Sequence, residues 1–310
     1  MRQPRAKGVA ALFLAVSFTL LAVEALAVGP RTEELRHLFD ITGGAAGPLA
    51  LPADVAVSVN GRAYVVDSGN HRVVAYGPNG QHLFSIGRRG SANGEFKDPL
   101  GIGTDRLGRI YVADKGNRRI QIFDAGGAFI GTFPVSSGGK PVSPSDVAPN
   151  ADGRVLYVTA GNKIMVFTPT GTLLREWGGN GAPDGETRYP GSITVSPEGL
   201  LLVVDTAYTR VQVFEDTGRL ISTIGEWGSL PGQFFRPAGI ALDSRGYVYV
   251  ADNYQELIEA FDTGYRFSHI LGAAGQPYRF TMPGGIAIDP GDRLYVVETL
   301  ANKVSVFSLR

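Results

Sequence analysis

The feature that most constrains this chain is a pattern that occurs six times, at intervals of about 46 residues. Its clearest copy is Ile-Tyr-Val-Ala-Asp-Lys-Gly-Asn-Arg-Arg-Ile-Gln-Ile-Phe, residues 110 to 123. β-Branched and aromatic residues flank an Asp-x-x-Asn turn, which predicts two short strands joined tightly. The residue that ends the first of these strands marks the copies: Asp67, Asp114, Ala160, Asp205, Asp252 and Glu298.

Each copy predicts two further strands. An apolar segment entered from proline comes before the motif, as at residues 52 to 57, and proline is tolerated at the first position of a strand. A glycine turn and a fourth strand follow, as at residues 82 to 86. Four strands per copy and a period in the forties are typical of a propeller with one blade per repeat. The sequence therefore predicts an all-β fold, a six-bladed β-propeller of four-stranded antiparallel blades.

The sixth copy ends at Phe307 and lacks a fourth strand of its own. Residues 37 to 42, His-Leu-Phe-Asp-Ile-Thr, are similar to the fourth strand His-Leu-Phe-Ser-Ile-Gly at residues 82 to 87. We therefore predict that Leu38 to Ile41 becomes the outer strand of the last blade. This N-terminal strand would close the ring and hide edges that otherwise invite aggregation.

The order Gly-x-Ile-Tyr-Val-Ala-Asp-x-x-Asn-x-Arg-Ile-x-x-Phe at residues 108 to 123 resembles the NHL repeat. The similarity is still visible from Asp67 to Arg72. The resemblance implies one propeller domain over residues 37 to 310. For function it implies several classes, because NHL propellers serve as protein-binding, RNA-binding, sensor and, less often, enzymatic modules.

The amino terminus has the pattern of a bacterial secretory signal peptide over residues 1 to 27. Basic residues at positions 2, 5 and 7 precede an apolar run from Val9 to Val23, and Ala25-Leu26-Ala27 is a small-x-small cleavage site. We predict export to the periplasm or the exterior, residues 28 to 36 as a linker, and no membrane span after cleavage. The alternative is an uncleaved anchor, although a spanning helix needs roughly 20 apolar residues.

The composition excludes sites that need cysteine and argues against binding to nucleic acid. The chain has no cysteine, which excludes disulfides, thiolate metal sites and a cysteine nucleophile. Its 29 basic and 29 acidic residues give a formal net charge of zero. RNA binding would need a basic face and a cytoplasmic location, so the sequence predicts no nucleic-acid partner.

The repeated polar residues are interpreted as parts of the turns. Residues that recur in blade after blade favour a structural role, although the acids could alternatively form a cation-binding ring. We expect the arginines to pair with a neighbouring blade's acid or with backbone. The residues concerned are Asp67, Asn70, Arg72, Asp114, Asn117, Arg119, Asp205, Arg210, Asp252 and Glu298.

A propeller of this topology places the Asp-x-x-Asn turns and the loops between blades on one face, which we call the top face. The long interblade loops are predicted at residues 87–98, 134–144, 178–189, 225–236 and 272–282. Loops on a rigid scaffold are the favoured place for binding. Trp227 lies in one of them, either exposed as a partner anchor or packed across a neighbouring loop. Arg88 and Arg89, in the first loop, are expected to be solvated and are included as candidate partner contacts.

Asp54 and Asp146 break the repeat, because the other copies have glycine or serine at that position. Both open an innermost strand, so their carboxylates are predicted at the top mouth of the central channel. Two hypotheses stay open: acids lining a wet channel, or a calcium site completed by carbonyl groups and water. No catalytic residue is predicted, since three of the four histidines fall in outer strands. The histidine cluster of the lyases that resemble this propeller is absent.

The sequence thus predicts an exported NHL-type propeller without catalytic activity. It would bind an unidentified protein or another extracellular ligand through its top-face loops. The competing hypothesis is a calcium-dependent lactonase or esterase, or a lyase-like enzyme, at the channel mouth.

Overall fold

The computed structural model describes residues 31–179 and 185–309, which form six antiparallel sheets arranged in a ring. Each sheet is one blade, and the first strands of successive blades pack side by side around a channel. The strands of blades one to three, from the axis outward, are Pro52–Val57, Ala63–Asp67, Arg72–Tyr76, His82–Ile86; Pro99–Thr104, Ile110–Asp114, Arg119–Phe123, Phe129–Pro134; Pro144–Pro149, Leu156–Ala160, Lys163–Phe167, Leu173–Gly178. Those of blades four to six are Pro190–Val195, Leu201–Asp205, Arg210–Phe214, Leu220–Ile224; Pro237–Leu242, Val248–Asp252, Leu257–Phe261, Phe267–Ala273; Pro283–Ile288, Arg293–Glu298, Lys303–Ser308, Arg36–Ile41.

The predicted ring closure is confirmed. Arg36–Ile41 is the outer strand of blade six and runs antiparallel to Lys303–Ser308. Ile41 lies opposite Val304 and is buried with it in one core cluster. A strand near residue 40 and a strand near residue 305 are therefore neighbours in one sheet.

The segment before this strand is not only a linker, as the sequence suggested for residues 28 to 36. Thr32–Glu34 forms a fifth strand on blade five, parallel to Phe267–Ala273. The backbone N–H of Leu35 donates to the carbonyl of Gly272 at 2.7 Å, and the Leu35 side chain is buried in the core between blades five and six. Backbone pairing and the burial of Leu35 therefore hold residues 32 to 35 against blade five, although the sequence predicted a linker there.

Aromatic side chains pack between blades. Phe96, Phe234 and Phe280 are buried, and each packs on the aromatic residue that ends the third strand of its own blade. The ring centroids are 5.7 Å apart in all three pairs. Burying a phenylalanine in this way contributes roughly 2–3 kcal/mol, so these contacts hold the entering loops onto the blades.

The remaining elements are short. Single turns of 3₁₀ helix follow three of the second strands and one precedes blade one: Gly44–Ala46, Ser68–Asn70, Lys115–Asn117 and Thr299–Ala301. A two-stranded hairpin, Ser136–Ser137 with Lys140–Pro141, lies in the loop before blade three, and Gln276–Pro277 pairs with the last strand of blade five.

None of the helices in the described part of the chain is long and apolar enough to cross a bilayer. The predicted signal peptide, residues 1 to 27, lies outside the described residues.

Candidate binding face

The recurring acids lie beneath the top face, buried under the loops that enter their blades. Asp67 accepts a hydrogen bond from the backbone N–H of Ala50 at 2.7 Å, and Asp114 accepts one from Lys97 at 2.8 Å. Glu298 accepts one from Thr281 at 2.7 Å. Because these carboxylates are turned inward onto backbone groups, they present no cation-binding ring to solvent.

In blades one and two, an arginine also binds the buried acid of its own blade. We call a buried acid together with the loop and side-chain groups that bind it a clasp. Arg119 Nε donates to Asp114 Oδ2 at 2.7 Å, and Arg119 Nη2 donates to the carbonyls of Ala92 and Glu95, both at 2.8 Å. Asn117 adds bonds to Asp114 and to the carbonyl of Gly90. The arginines were expected to pair with a neighbouring blade's acid or with backbone. Arg119 does bind backbone carbonyls, but its acid belongs to its own blade. Arg72 with Asp67 and Asn70 repeats the arrangement in blade one.

Blades four and five differ, because their aspartates each hold two consecutive backbone N–H groups. Asp205 accepts from Arg188 at 2.9 Å and from Tyr189 at 3.1 Å. Asp252 accepts from Phe235 at 2.7 Å and from Arg236 at 3.0 Å. The donors are Arg188 and Tyr189 in one blade and Phe235 and Arg236 in the other, directly before the proline that begins the blade. The backbone of both residues in each pair is therefore held in place.

An aromatic surface lies above these two clasps. Trp227 is 70% exposed and Tyr254 is 72% exposed, and the ring of Phe235 stands between them at 5.6 and 5.3 Å. Leu230 and Tyr189 are also exposed. We call these five residues the aromatic arc: Tyr189, Trp227, Leu230, Phe235 and Tyr254.

Trp227 lies in a top-face loop as predicted, and its ring packs edge-on against a residue of its own loop while staying exposed. Arg89 holds the equivalent place in the loop before blade two: Arg89 pairs with Phe96 as Trp227 pairs with Phe234. Arg88 is exposed to solvent over 83% of its side chain, and its Nε also binds Glu95 Oε1 at 2.9 Å. Neither arginine lies in the aromatic arc.

The arc borders a cavity of about 260 Å³ at the top of the central channel. Tyr189, Arg236 and Asn253 line it, and the last two directly adjoin Phe235 and Tyr254 in the chain. A second cavity of about 440 Å³ lies along the first strands. Asp54 and Asp146 line both cavities, so they lie at the level between them and not only at the top mouth, where the sequence placed them.

Both aspartates bridge neighbouring blades. Asp54 accepts hydrogen bonds from the N–H groups of Val55 at 2.9 Å and Ile102 at 3.0 Å. Asp146 accepts from Val147 at 2.7 Å and from Ile193 in the next blade at 2.9 Å. All four carboxylate oxygens therefore join innermost strands.

Burial also changes their protonation. Removal from water raises the pKa of Asp146 to about 6, against opposing hydrogen bonds from Ile193 and Val147. Burial, and next to it the charge of Asp146, raises the pKa of Asp54 well above its usual range. The pair thus favours holding a proton.

The residues do not fit a calcium site well. Among residues 31–179 and 185–309, no group of three or more His, Cys, Asp or Glu side chains is placed to hold a metal ion. Calcium prefers six to eight oxygen ligands, mostly ionised or carbonyl, whereas only two acids converge here and burial favours their neutral forms. We therefore derive no chemistry through a metal.

Five residues of this face escaped the sequence analysis: Arg188, Tyr189, Phe235, Arg236 and Tyr254. A signal for them existed, because Tyr189 and Arg236 immediately precede the prolines that start blades four and five. In the sequence these five residues look like ordinary loop residues. The sequence does not show which loop side chains are exposed once the buried aspartates bind the loop backbone.

Sequence profiles agree with this architecture. The NHL repeat matches residues 49–76 and 96–123, and a family described as 6-bladed beta-propeller matches residues 183–277. The chain is a six-bladed β-propeller that carries NHL repeats. Comparison of this NHL propeller with curated protein sequences gives no significant match.

Solved structures show the same fold at low sequence identity. A protein of unknown function from Bacteroides thetaiotaomicron superposes with a TM-score of 0.67 at 14% identity, covering 90% of the NHL propeller and 74% of its own chain. An inactive virginiamycin B lyase from Staphylococcus aureus with quinupristin gives 0.61 at 15%, covering 88% and 83%. Hydrazine synthase of Kuenenia stuttgartiensis gives 0.61 at 12%, covering 83% and 95%. These similarities establish the fold alone.

Proposed function

We propose that this NHL propeller is an exported, non-catalytic module that binds a partner protein through the aromatic arc on its top face. The observation that carries the proposal is the exposure of Trp227 and Tyr254 on either side of Phe235. Tryptophan and tyrosine are the residues most enriched at the energetic centres of protein interfaces.

Rigidity supports the same conclusion. The hydrogen bonds accepted by Asp205 and Asp252 hold the backbone N–H groups of Tyr189 and Phe235, so the backbone that carries these rings is anchored. A surface that is ordered before binding loses less conformational entropy when a partner arrives. The arc therefore has the properties of a prepared interface.

Charge indicates the kind of partner. Among the described residues of the interblade loops and of the turns between second and third strands, eight exposed side chains are basic and three are acidic. The basic ones are Arg88, Arg89, Lys97, Arg118, Lys140, Arg188, Arg236 and Arg279, and the acidic ones are Asp98, Glu226 and Glu256. An acidic protein surface is complementary to this face, and arginine forks suit carboxylates.

The competing hypothesis is an enzyme in the central channel, and the buried pair Asp54 and Asp146 is the observation in its favour. Perturbed carboxyl groups beside a cavity are typical of catalytic sites. Against it stands their full engagement with backbone N–H groups. The named lyase shares only the fold. A lactone and ester hydrolysis screen, with and without chelator, tests this alternative.

The binding proposal is tested by affinity capture from a cell-envelope extract. Wild-type protein should retain one stoichiometric partner, and a Trp227→Ala, Tyr254→Ala variant should lose it. Leu107→Ala is the matched control, since Leu107 is 70% exposed like Trp227 but lies between the first and second strands of blade two, away from the top face. Equal capture by the aromatic variant, or hydrolysis that Asp54→Ala abolishes, would overturn the proposal.

A further inference from the structure

We propose that Glu259 is a proton-dependent anchor of the loop that carries the aromatic arc, so that the arc is ordered when Glu259 is protonated and loosened when it is ionised. This inference rests on the proposed function for its biological meaning. Its structural content concerns the loop of residues 225–236 alone.

Glu259 is buried in the third strand of blade five and holds that loop directly. Its Oε2 accepts a hydrogen bond from the backbone N–H of Gly232 at 2.7 Å, and only 1% of the residue is exposed. Gly232 lies between Trp227 and Phe235 in the chain. A change at Glu259 therefore acts on the backbone that positions both rings.

Glutamine occupies the equivalent position in blades two and four, and Val74, Met165 and Ser305 occupy it in blades one, three and six. In blade two, Gln121 is the equivalent residue, and its Oε1 accepts from the N–H of Gly94 at 2.9 Å. Its Nε2 donates to Asp114 Oδ2 at 3.1 Å and to the carbonyl of Glu95 at 2.7 Å. Blade four has Gln212 in the same place, donating to Asp205. Glu259 keeps the acceptor contact to the loop N–H, and its carboxyl group can also serve as a donor only while it carries a proton.

The surroundings of Glu259 contain no compensating cation among the described residues. Arg119, which neutralises Asp114 in blade two, is replaced by Leu257 in blade five. Asp252, on the adjacent strand, faces Glu259 and disfavours a second negative charge. The carboxylate of Asp252 accepts its hydrogen bonds from backbone N–H groups of the loop and of the turn.

The other elements around Glu259 do not change this balance. The fourth strand places Ile270 opposite Glu259. The charged residues of the loop and turn, Glu226, Arg236 and Glu256, are exposed to water.

The protonation range is physiological. Burial, opposed by the hydrogen bond from Gly232 and increased by the charge of Asp252, raises the pKa of Glu259 to about 7. Because the ordered state is the one that binds the proton, order is present below this pH and is lost as pH rises through about 7. Ionisation would leave two unneutralised carboxylates beneath the arc.

The test is the pH dependence of amide signals in the free protein, followed by NMR between pH 5.5 and 8.5. We expect the Gly232 amide to titrate with a midpoint near 7 in wild type and to lose that transition in Glu259→Gln. The Gly94 amide is the internal control, since it is bound by an amide side chain and should not titrate. A Gly232 amide that stays constant, or titrates equally in the variant, overturns the inference.

The link to binding is measured separately. With the captured partner, wild-type affinity should fall several-fold between pH 6 and pH 8, and the affinity of Glu259→Gln should change much less. A partner that binds independently of Trp227 and Tyr254 would refute the proposed function while the Gly232 titration still stands. An affinity that falls equally in both proteins would refute the coupling.

Discussion

Arg119 binds Asp114 through Nε at 2.7 Å, in a pair whose carboxylate is completely buried and whose guanidinium also holds two loop carbonyls. The first prediction concerns this pair. Arg119→Leu should lower the free energy of unfolding by about 3–5 kcal/mol, because it leaves a buried carboxylate without its cation.

Urea denaturation measures this loss. Arg118→Leu is the control, because Arg118 is the exposed neighbour in the same turn and should change stability little. Equal stability of the two variants would show that the clasp does not depend on the ion pair.

Ring closure gives the second prediction. Deleting residues 36 to 42 removes the outer strand of blade six, including the buried Ile41, and exposes the edge of Lys303–Ser308. The melting temperature measured by circular dichroism should fall strongly, and the protein should aggregate more readily. Leu38→Ala is the control, since Leu38 is exposed on that strand. A truncated protein that melts like wild type would refute closure by this strand.

The third prediction concerns the packing of Gly101 against the next blade. A Cβ atom there would lie 2.5 Å from Asp146 Cα and 2.7 Å from the carbonyl oxygen of Ser145. Gly101→Ala should therefore cost about 1–3 kcal/mol of stability through overpacking. Gly191→Ala is the matched control on an innermost strand, where the nearest atom would be at 3.5 Å. Unfolding curves that coincide for the two variants would contradict the expected collision.

The fourth prediction follows from the buried acids. The folded-state pKa values of Asp54, Asp146 and Glu259 are all raised, so the folded protein holds protons that the unfolded chain releases. The contribution of these three groups to stability should accordingly fall as pH rises from about 4 through 7. The decrease should be smaller in Glu259→Gln, by about 1.4 kcal/mol for each unit of its pKa shift. Identical pH profiles for the two proteins in chemical denaturation would contradict this assignment.

Calcium provides the fifth prediction. Because Asp54 and Asp146 are bound by backbone N–H groups and favour their neutral forms, millimolar CaCl₂ should leave the melting temperature unchanged. Isothermal titration calorimetry should likewise detect no specific heat. A saturable signal that disappears in an Asp54→Ala, Asp146→Ala double variant would restore the metal hypothesis.

The sequence predicted the fold because its signals are local and repeated. Prolines, alternating apolar residues and Asp-x-x-Asn turns each specify one strand or turn, and six copies remove the ambiguity of one. The sequence also predicted the ring closure, which joins distant parts of the chain, because residues 37 to 42 carry the pattern of a fourth strand. Thr32–Glu34 was missed because three residues of a parallel edge strand carry no such pattern.

The candidate face was predicted less completely. Trp227 stood out as a break in the repeat, but its association with Phe235 and Tyr254 depends on how one loop folds over one turn. The depth of Asp54 and Asp146 in the channel likewise depends on hydrogen bonds between blades. Contacts between different repeats are set by three-dimensional packing, which a single sequence does not display.

The pairing of Arg36–Ile41 with Lys303–Ser308 also sets an order of events in time. Arg36–Ile41 is synthesised before any complete blade, and its partner strand belongs to the sixth blade along the chain. Until Lys303–Ser308 has been synthesised, blade six cannot form, and the early strand must wait without its hydrogen-bond partner. A newborn chain therefore passes through a long interval as an open arc of blades, during which a chaperone that shields a single strand would have the greatest effect on yield.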